Sequence, residues 1–195
     1  MKYYFIVLCL GFSLYCSAQN SYKYEKEDRI EKQLFPQNAL KLLEETLPKK
    51  VKKLKYYKEQ DSVKISYETK LKYKGTKYSI EFDKKGHLED VEVTIKQKHI
   101  PPKTLEMIKK HMYDEYDSFR IKKIQRQYRN SKNSIGKKVI KNAFSEAEDS
   151  SFYYEIIAEV KTGKKRYFIE ITFTKTGKFD LVRTIIRSSY DHILY

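Results

Sequence analysis

The sequence predicts an α+β fold made by tandem duplication, in which each copy is an amphipathic helix packed on an antiparallel β-sheet. Two segments that begin at a proline carry apolar residues with helical spacing. Each is followed by segments in which apolar and charged residues alternate, the pattern of strands with one buried face. Both series contain a Phe-x-x-x-Gly sequence near their end. A plan that occurs twice along a chain indicates an internal repeat.

Residues 1–18 are typical of a secretory signal peptide. Lys2 provides a positive charge, residues 3–15 form an apolar run, and small residues at 16 and 18 precede a cleavage position. The run is shorter than the roughly 20 apolar residues that cross a bilayer as a helix. We therefore expect cleavage after Ala18, export to the periplasm or outside the cell, and no transmembrane segment in the mature chain.

The cysteines lie in the segment that we expect to be removed. A lipoprotein signal that uses Cys16 is the main alternative, but it needs a small residue before the cysteine and Tyr15 is bulky. Cleavage removes Cys9 and Cys16, which excludes disulfides, thiol catalysis and zinc–cysteine sites from the mature chain. The 177 of 195 residues that remain suffice for one sizeable domain or two small ones.

The first copy is predicted over residues 35–98, after an N-terminal arm or edge strand over residues 19–34. Pro36 opens a helix, because its missing N–H costs nothing in the first turn. Leu40, Leu43 and Leu47 give that helix one apolar stripe. Period-two alternation then predicts strands whose inward residues are Tyr67, Thr69, Leu71, Tyr73, Tyr78, Ile80, Phe82, Val91, Val93 and Ile95.

The second copy is predicted over residues 99–188, before a C-terminal tail over 189–195. Pro101 opens its helix, and Leu105, Ile108 and Met112 follow with the spacing seen in the first copy. Residues 129–150 are polar, and we predict a mobile insertion there in a connection between strands. The strands that follow carry inward residues Tyr154, Ile156, Ala158, Val160, Tyr167, Ile169, Ile171 and Phe173.

These segments resemble the PepSY-like domains of exported Bacteroidetes proteins, the group described as beta-lactamase-inhibitor-like. The resemblance covers residues 35–187 and is carried by the proline-started helices and by YSIEFDKKGHLEDVEV at 78–93. A signal peptide that ends in Ser-Ala-Gln also suits such organisms. The residues that match the shared pattern are Phe82, Asp83, Gly86, Leu88 and Val91, and less completely Phe173, Gly177 and Phe179, with Thr174 in place of the aspartate.

The resemblance implies tandem helix-plus-sheet units and a binding role. Related PepSY domains occur in propeptides of thermolysin-like metalloproteases, and the beta-lactamase inhibitor protein uses a similar tandem architecture with a concave sheet. It implies an exported, non-enzymatic binding module that inhibits or escorts another periplasmic protein. No inhibitory residue is carried over, because the contact residues of those proteins are not part of the shared motif.

The residue pattern contains no recognisable catalytic centre. No two of the histidines at 87, 99, 111 and 192 stand at metal-ligand helical spacing from each other. No Gly-x-Ser-x-Gly nucleophile elbow and no glycine-rich phosphate loop is present. Adjacent acidic pairs such as Glu89-Asp90 point to opposite sides of a strand. We therefore predict that the protein is not an enzyme and has no catalytic residues, metal or cofactor.

The net charge of +15, or +14 without Lys2, raises the question of an anionic partner. An exported protein rarely meets nucleic acid, and we expect none. The lysines are first interpreted as a solvated sheet face, which discourages aggregation. They also suit anionic polysaccharide or lipid headgroups. A charge-driven binder of anionic envelope material is therefore the alternative to a module that binds another envelope or secreted protein.

Exposed tyrosines among cations are the candidate interaction surface. In each adjacent tyrosine pair only one ring can face the core, so the other is free for protein contacts or carbohydrate stacking. The alternative is that these rings form cross-strand pairs with lysines and cover the sheet. The candidate residues are Tyr56, Tyr57, Lys70, Lys72, Lys74, Tyr153 and Arg166.

Overall fold

The computed structural model describes residues 21–61, 64–131, 135–145 and 150–186. The predicted signal peptide and C-terminal tail lie outside the described residues. The strands are β1 (Ser21–Lys23), β2 (Glu25–Ile30), β3 (Lys52–Asp61), β4 (Lys64–Tyr73), β5 (Thr76–Asp83), β6 (Leu88–Thr94), β7 (Ser118–Arg129), β8 (Tyr153–Thr162), β9 (Lys165–Thr174) and β10 (Phe179–Ile185). The α-helices are α1 (Gln37–Thr46), α2 (Pro102–Glu115) and α3 (Gly136–Ser145), with single 3-10 turns before α1 and α2.

All ten strands belong to one mixed sheet with the order β1-β10-β9-β8-β7-β6-β5-β4-β3-β2. The β1–β10 pair is parallel, and the other neighbouring pairs are antiparallel. The predicted duplication into two helix-on-sheet units is therefore wrong, although the chain does combine helices with a sheet. The finding that overturns it is the β6–β7 pairing, which joins Asp90 to Arg129 and Thr94 to Gln125.

The joined sheet has a physical reason that periodicity does not reveal. Two separate sheets would each leave a central edge with unpaired N–H and C=O groups. Pairing β6 with β7 satisfies those groups and buries one continuous apolar face. Alternation in the sequence reports which residues of a strand are buried, but not which strand lies beside it.

The helices cover one face of the sheet, and the main hydrophobic core lies between them. Phe35 lies before α1, and its ring centroid is 5.7 Å from that of Phe82 on β5 and 5.0 Å from that of Tyr56 on β3. Along α1 and α2, the residues that pack against the sheet are Ala39, Leu40, Leu43, Ile108 and Met112. The strands contribute Ile80, Phe82, Val91, Tyr128, Ile156, Ile171 and Phe173 to the same cluster.

Two turn glycines explain the Phe-x-x-x-Gly sequences. Gly86 has φ +80°, and a Cβ there would lie 2.9 Å from the backbone nitrogen of Ala39 in α1. Gly177 has φ +87°, and a Cβ there would lie 2.9 Å from the carbonyl oxygen of Thr104 in α2. Only glycine combines this backbone conformation with so close an approach. Each glycine therefore holds a strand turn against a helix.

The predicted polar insertion contains a helix that the sequence analysis does not predict. In α3, Val139, Ile140 and Ala143 are buried against the main core. Phe144 stacks on Tyr78 of β5, with ring centroids 4.4 Å apart. These apolar positions share one helical face, but the lysines and asparagines around them hide the pattern. Residues 132–134 and 146–149 of the insertion lie outside the described residues.

The N-terminal strands connect the two ends of the sheet. Only Tyr24 separates β1 from β2, yet β1 pairs with β10 and β2 pairs with β3. Arg183 Nη1 on β10 lies 3.5 Å from Asp61 Oδ2 on β3, although six strands lie between β10 and β3 in the sheet order. The sheet therefore curls strongly, with the helices on its convex face and a second face on the inside.

Candidate functional site

The inside of the curled sheet carries most of the charged side chains of the strands. A small cavity of about 30 Å³ there is lined by side chains from all strands from β1 to β8, so the face is concave. Its lining residues are Lys23, Glu27, Glu59, Glu68, Lys70, Glu81, Glu92, Lys123, Gln125, Glu155 and Ile157. One apolar side chain among ten charged or amide side chains makes this interior an electrostatic environment rather than a second core.

Carboxylates on this face are buried. Among the described residues the buried ones are Glu59, Glu68, Asp90, Glu92, Glu155 and Glu170. Glu81 stands directly opposite both Glu68 on β4 and Asp90 on β6. Like charges in directly opposite positions are destabilising. Alternation along β4 and β5 places Glu68 and Glu81 on the charged face, and the curvature of the sheet is what shields that face from water.

Some of these carboxylates are neutralised by cations of the same face. Lys70 contacts Glu27, and its Nζ atom lies 3.1 Å from Glu68 Oε2. Burial alone would lower the pKa of Lys70, but Glu68 and Glu27 outweigh it and raise that pKa. Glu170 lies 2.7 Å from Lys23 Nζ and 2.9 Å from Arg183 Nε.

Glu170 is therefore held in its ionised form. Burial alone would raise the pKa of Glu170, but Lys23 and Arg183 overcome that effect and lower it to about 2. The carboxylate thus fastens β1 and β10 to β9 by charge-assisted hydrogen bonds.

A second set of carboxylates has no such neutralisation. Among the described residues, no lysine or arginine forms an ion pair with Glu81, Asp90 or Glu92. Burial raises the pKa of all three carboxyl groups, and the neighbouring carboxylates add to the increase for Glu81 and Asp90. Burial and the carboxylates of Glu170 and Glu92 likewise raise the pKa of Glu155.

A larger cavity of about 590 Å³ opens beside these carboxylates and is lined mainly by lysines. The lysines are Lys53, Lys55, Lys70, Lys72, Lys77, Lys96, Lys122 and Lys123. Ile95 and Ile121 add apolar residues to the lining, and Tyr57 supplies a ring. A cavity of this size is large enough for a ligand, and its lysines favour an anionic one.

The strand register makes the lysine cavity energetically unusual. Lys72 stands directly opposite Lys52 on β3 and Lys77 on β5, so three like charges lie side by side across three strands. Lys53, Lys55, Lys72 and Lys96 form no ion pair among the described residues. Such repulsion costs stability. An anionic group bound in the cavity would relieve it.

Three of the residues predicted as an interaction surface meet in this cavity. Tyr57, Lys70 and Lys72 all line it, with Lys70 Nζ 5.0 Å from the centroid of the Tyr57 ring. Tyr56 faces the other way and packs on Phe35 in the core. Lys74 lies in the β4–β5 turn with φ +47°, exposed to solvent, and its Nζ is 5.4 Å from the Tyr73 ring centroid.

The other two predicted residues lie on later strands. Tyr153 begins β8 and is covered by Arg129, whose guanidinium carbon lies 3.8 Å from the ring centroid. Arg166 is exposed near the start of β9, with its Nη1 3.9 Å from Glu159 Oε1. Neither residue lines the lysine cavity.

The sequence analysis does not single out the buried carboxylates or the lysines Lys77, Lys96, Lys122 and Lys123. One signal was present: the polar positions of β4 and β5 carry glutamate within the strand and lysine nearer the β4–β5 turn, and those of β6 carry Asp90 and Glu92. Across antiparallel neighbours this pattern gathers acids in the middle of the face and lysines at its side. Reading it requires the register, which periodicity does not supply.

Fold and site define a class: an α+β protein with one curled sheet, helices on its convex face and a charged cavity inside. No protein-family model matches the sequence, and no curated protein matches it. Two solved structures resemble its fold. A DUF2874 family protein from Bacteroides ovatus matches with a TM-score of 0.51 and 11% identity, covering 76% of this chain and 86% of that chain.

The second solved structure is a BLIP-like protein from Bacteroides fragilis. It matches with a TM-score of 0.48 and 16% identity, covering 77% of this chain and 87% of that chain. The likeness to the Bacteroides ovatus protein shows a shared fold. At such identities neither likeness shows a ligand. None of the helices in the described part of the chain is long and apolar enough to cross a membrane.

Proposed function

We propose that this protein is an exported, non-enzymatic binding module that recognises an acidic segment of another envelope or secreted protein. Its binding surface is the lysine cavity on the concave face. The observation that carries the proposal is the gathering of eight lysines around one cavity, where the strand register places Lys72 directly opposite Lys77. Lysines that repel one another lower the stability of the fold. A bound ligand that neutralises them would offset that loss.

The shape of the cavity supports a protein segment as the ligand. Its volume of about 590 Å³ accommodates a few side chains rather than a single ion. Ile95 and Ile121 offer apolar contact beside the ammonium groups, and Tyr57 offers an aromatic anchor. An acidic loop with one or two apolar residues matches this lining. Binding there would inhibit or escort the partner, the role that the resemblance to beta-lactamase-inhibitor-like domains implies.

The test is capture of partners from envelope extract with two charge-reversal variants. The first, Lys72→Glu with Lys77→Glu, changes the cavity. The matched control, Lys84→Glu with Lys103→Glu, makes the same charge change at exposed positions in the β5–β6 turn and on α2. We expect a protein that the wild type and the control recover and the cavity variant does not. Recovery of the same proteins by the wild type and both variants would overturn the proposal.

Anionic envelope material is the second candidate, because the lysines of the same cavity suit sulfate, phosphate or uronate groups. The lysines of α3 do not extend the cavity: Lys137 pairs with Glu45 of α1 at 2.6 Å, on the helical side of the sheet. Binding to heparin and to lipopolysaccharide should be measured at low and high salt. Loss of binding with salt and in the cavity variant would favour this candidate, since charge-driven complexes weaken with screening.

A further inference from the structure

Glu81 on β5 and Asp90 and Glu92 on β6 form a group that we call the β5–β6 carboxylate group. One oxygen from each residue lies within 4.8 Å of the other two. Ca²⁺ binds oxygen ligands at about 2.3–2.6 Å, so two oxygens on one ion lie at most about 5 Å apart. The spacing of these three carboxylates therefore fits a single ion.

The same face contains a second group with equal spacing, which serves as an internal comparison. Oxygens of Glu27, Glu59 and Glu68 also lie within 4.8 Å of one another. The ammonium of Lys70 contacts two of them, Glu27 and Glu68. One group is thus neutralised by a cation of the chain, whereas no cation of the described residues pairs with the β5–β6 carboxylate group.

Two buried oxygen atoms beside the β5–β6 carboxylate group have no hydrogen-bond partner. Asp90 Oδ1 is one of them, in a residue that is 8% exposed. The hydroxyl of Ser79 is the other, in a residue that is 7% exposed and stands directly opposite Glu92 on the same face. A buried polar atom without a partner costs about 1–3 kcal/mol. Two such atoms beside one carboxylate group point to a ligand that takes oxygen donors.

Amide groups of β7 orient the carboxylates for such a ligand. Gln125 Nε2 donates to Glu92 Oε2 at 2.7 Å, and Gln127 Nε2 donates to Asp90 Oδ2 at 3.0 Å. Each amide occupies one oxygen and holds the carboxylate plane in place. Hydrogen bonds of this kind orient metal-binding carboxylates in protein sites. In Asp90 the oxygen left over is the buried, unpartnered Oδ1.

We propose that the β5–β6 carboxylate group binds one Ca²⁺ ion, with Glu81, Asp90 and Glu92 as carboxylate ligands and the Ser79 hydroxyl at its edge. The donors are all hard oxygens, which excludes a preference for soft metals. Ca²⁺ tolerates an irregular set of ligands, whereas Mg²⁺ demands a near-ideal octahedron. The ion would neutralise carboxylates that burial otherwise forces toward protonation. This site adjoins the lysine cavity, which Ser79, Lys123 and Gln125 also line, but it does not depend on the function proposed for that cavity.

Replacing Lys123 should strengthen Ca²⁺ binding at the site, whereas replacing a carboxylate should weaken it. Lys123 lines the same small cavity as Glu81 and Glu92, and its charge acts on the Glu92 carboxylate. An ammonium so close repels a bound cation and weakens its affinity. Removing that charge should therefore tighten Ca²⁺ binding. Binding to a nonspecific acidic surface would not depend on this one lysine.

The test is calorimetric titration of the purified protein with Ca²⁺ and, separately, with Mg²⁺ near neutral pH. We expect one Ca²⁺ per chain, at least tenfold weaker binding of Mg²⁺, and a higher Tm with Ca²⁺. Asp90→Asn should lose at least tenfold in Ca²⁺ affinity, while Lys123→Met should gain several-fold. Glu59→Gln removes a carboxylate from the group that Lys70 neutralises and should retain binding.

Circular dichroism shows whether each variant is folded, and Glu159→Gln is the replacement control if Glu59→Gln does not fold. Absence of Ca²⁺ binding in the folded wild type would overturn the proposal. Unchanged Ca²⁺ affinity in folded Asp90→Asn would overturn it as well, since the ion would then sit elsewhere. Tighter binding of Mg²⁺ than of Ca²⁺ would overturn the choice of ion.

Discussion

On the convex face of the sheet Phe82 is fully buried under α1, and on the concave face Glu170 is buried almost as completely, at 3% exposed. The first side chain is surrounded by apolar groups, so its contribution to stability is independent of pH and nearly independent of salt. The second is surrounded by Lys23 and Arg183, so its contribution depends on its ionisation. Two side chains that are almost equally buried therefore stabilise the fold by different interactions on the two faces of one sheet.

This difference also separates stability from function. The convex face holds the helices and has no unusual electrostatics to explain. The concave face retains repelling lysines and incompletely paired carboxylates, which a face selected only for stability would replace. We infer that the apolar packing of the convex face offsets the stability lost to charge repulsion on the concave face.

The largest expected effect is a truncation on the convex face. Phe82→Ala should lower the free energy of unfolding by about 3–5 kcal/mol, because it removes a ring that packs on Phe35 and leaves a cavity. Urea unfolding followed by circular dichroism measures the change. Phe179→Ala is the control, since Phe179 is 39% exposed. Equal losses in the two variants would contradict the assignment of the core to this face.

A change of similar size is expected from Glu170→Gln on the concave face. Neutralising Glu170 leaves Lys23 and Arg183 partly buried without their carboxylate, a loss of about 3–5 kcal/mol for a buried pair. The folded pKa of about 2 is below the ordinary 4.5, so this stabilisation is present above pH 4.5 and is lost as the pH falls toward 2. Wild type and variant should therefore converge in stability in acid.

If the stabilities of wild type and Glu170→Gln differ by the same amount at neutral pH and in acid, the charge of Glu170 is not what stabilises the fold. Phe82→Ala provides the contrast, because its loss should be the same at both pH values. This pair of measurements distinguishes the two faces directly.

A smaller effect is expected where a turn meets a helix. Gly86→Ala should cost at least twice as much as Gly75→Ala, which should cost about 1–2 kcal/mol from its positive φ. The added Cβ would meet the Ala39 backbone at position 86, whereas nothing lies within 4 Å at position 75. Thermal unfolding compares the two variants. Equal Tm values would show that the β5–β6 turn does not need its close contact with α1.

A stabilising change is expected at Glu155. Its pKa is raised above the ordinary 4.5, so the stability it contributes is present below that pH and is lost as the pH rises through the folded value. Glu155→Gln should therefore stabilise the protein at pH 8 by more than the roughly 0.5 kcal/mol scatter of surface changes, and have little effect at pH 5. Denaturant unfolding at the two pH values measures it. A pH-independent difference would contradict the raised pKa.

The smallest effect is expected at Arg166, one of the residues predicted as an interaction surface. It is exposed, and its distance of 3.9 Å from Glu159 is at the limit of an ion pair. Arg166→Ala should change the free energy of unfolding by less than about 0.5 kcal/mol. A larger loss in urea unfolding would show that Arg166 supports the sheet. Because Arg166→Ala should leave stability unchanged, any loss of partner binding in this variant would report a role of Arg166 in binding.

Local structure was largely predictable. The proline-started segments at 36 and 101 do begin helices, and Ile80, Phe82 and Ile171 do face the core. Such features depend on neighbours within a few residues, where spacing and side-chain chemistry decide. Missing α3 is the exception among local features, because its apolar face is short and lies within a strongly polar segment.

The site was only partly predictable. Tyr57, Lys70 and Lys72 meet in the cavity, while Tyr56, named with them, turns to the core. The neighbouring positions 56 and 57 point to opposite faces, and the sequence left open which of them was buried. The carboxylates of the concave face were missed because charged residues on one side of a strand usually face water. Here the curl of the sheet removes the water.

By itself the sequence determined most of the strands and the helices α1 and α2, which side of each strand is apolar, and where glycine turns are required. Those properties follow from backbone geometry and from the period of the side chains. Only the tertiary structure decided that all strands share one sheet and that β1 and β2 link its two ends. Pairing between distant strands depends on which edges need partners, and curvature depends on the whole sheet. The charged face became an enclosed site for that reason.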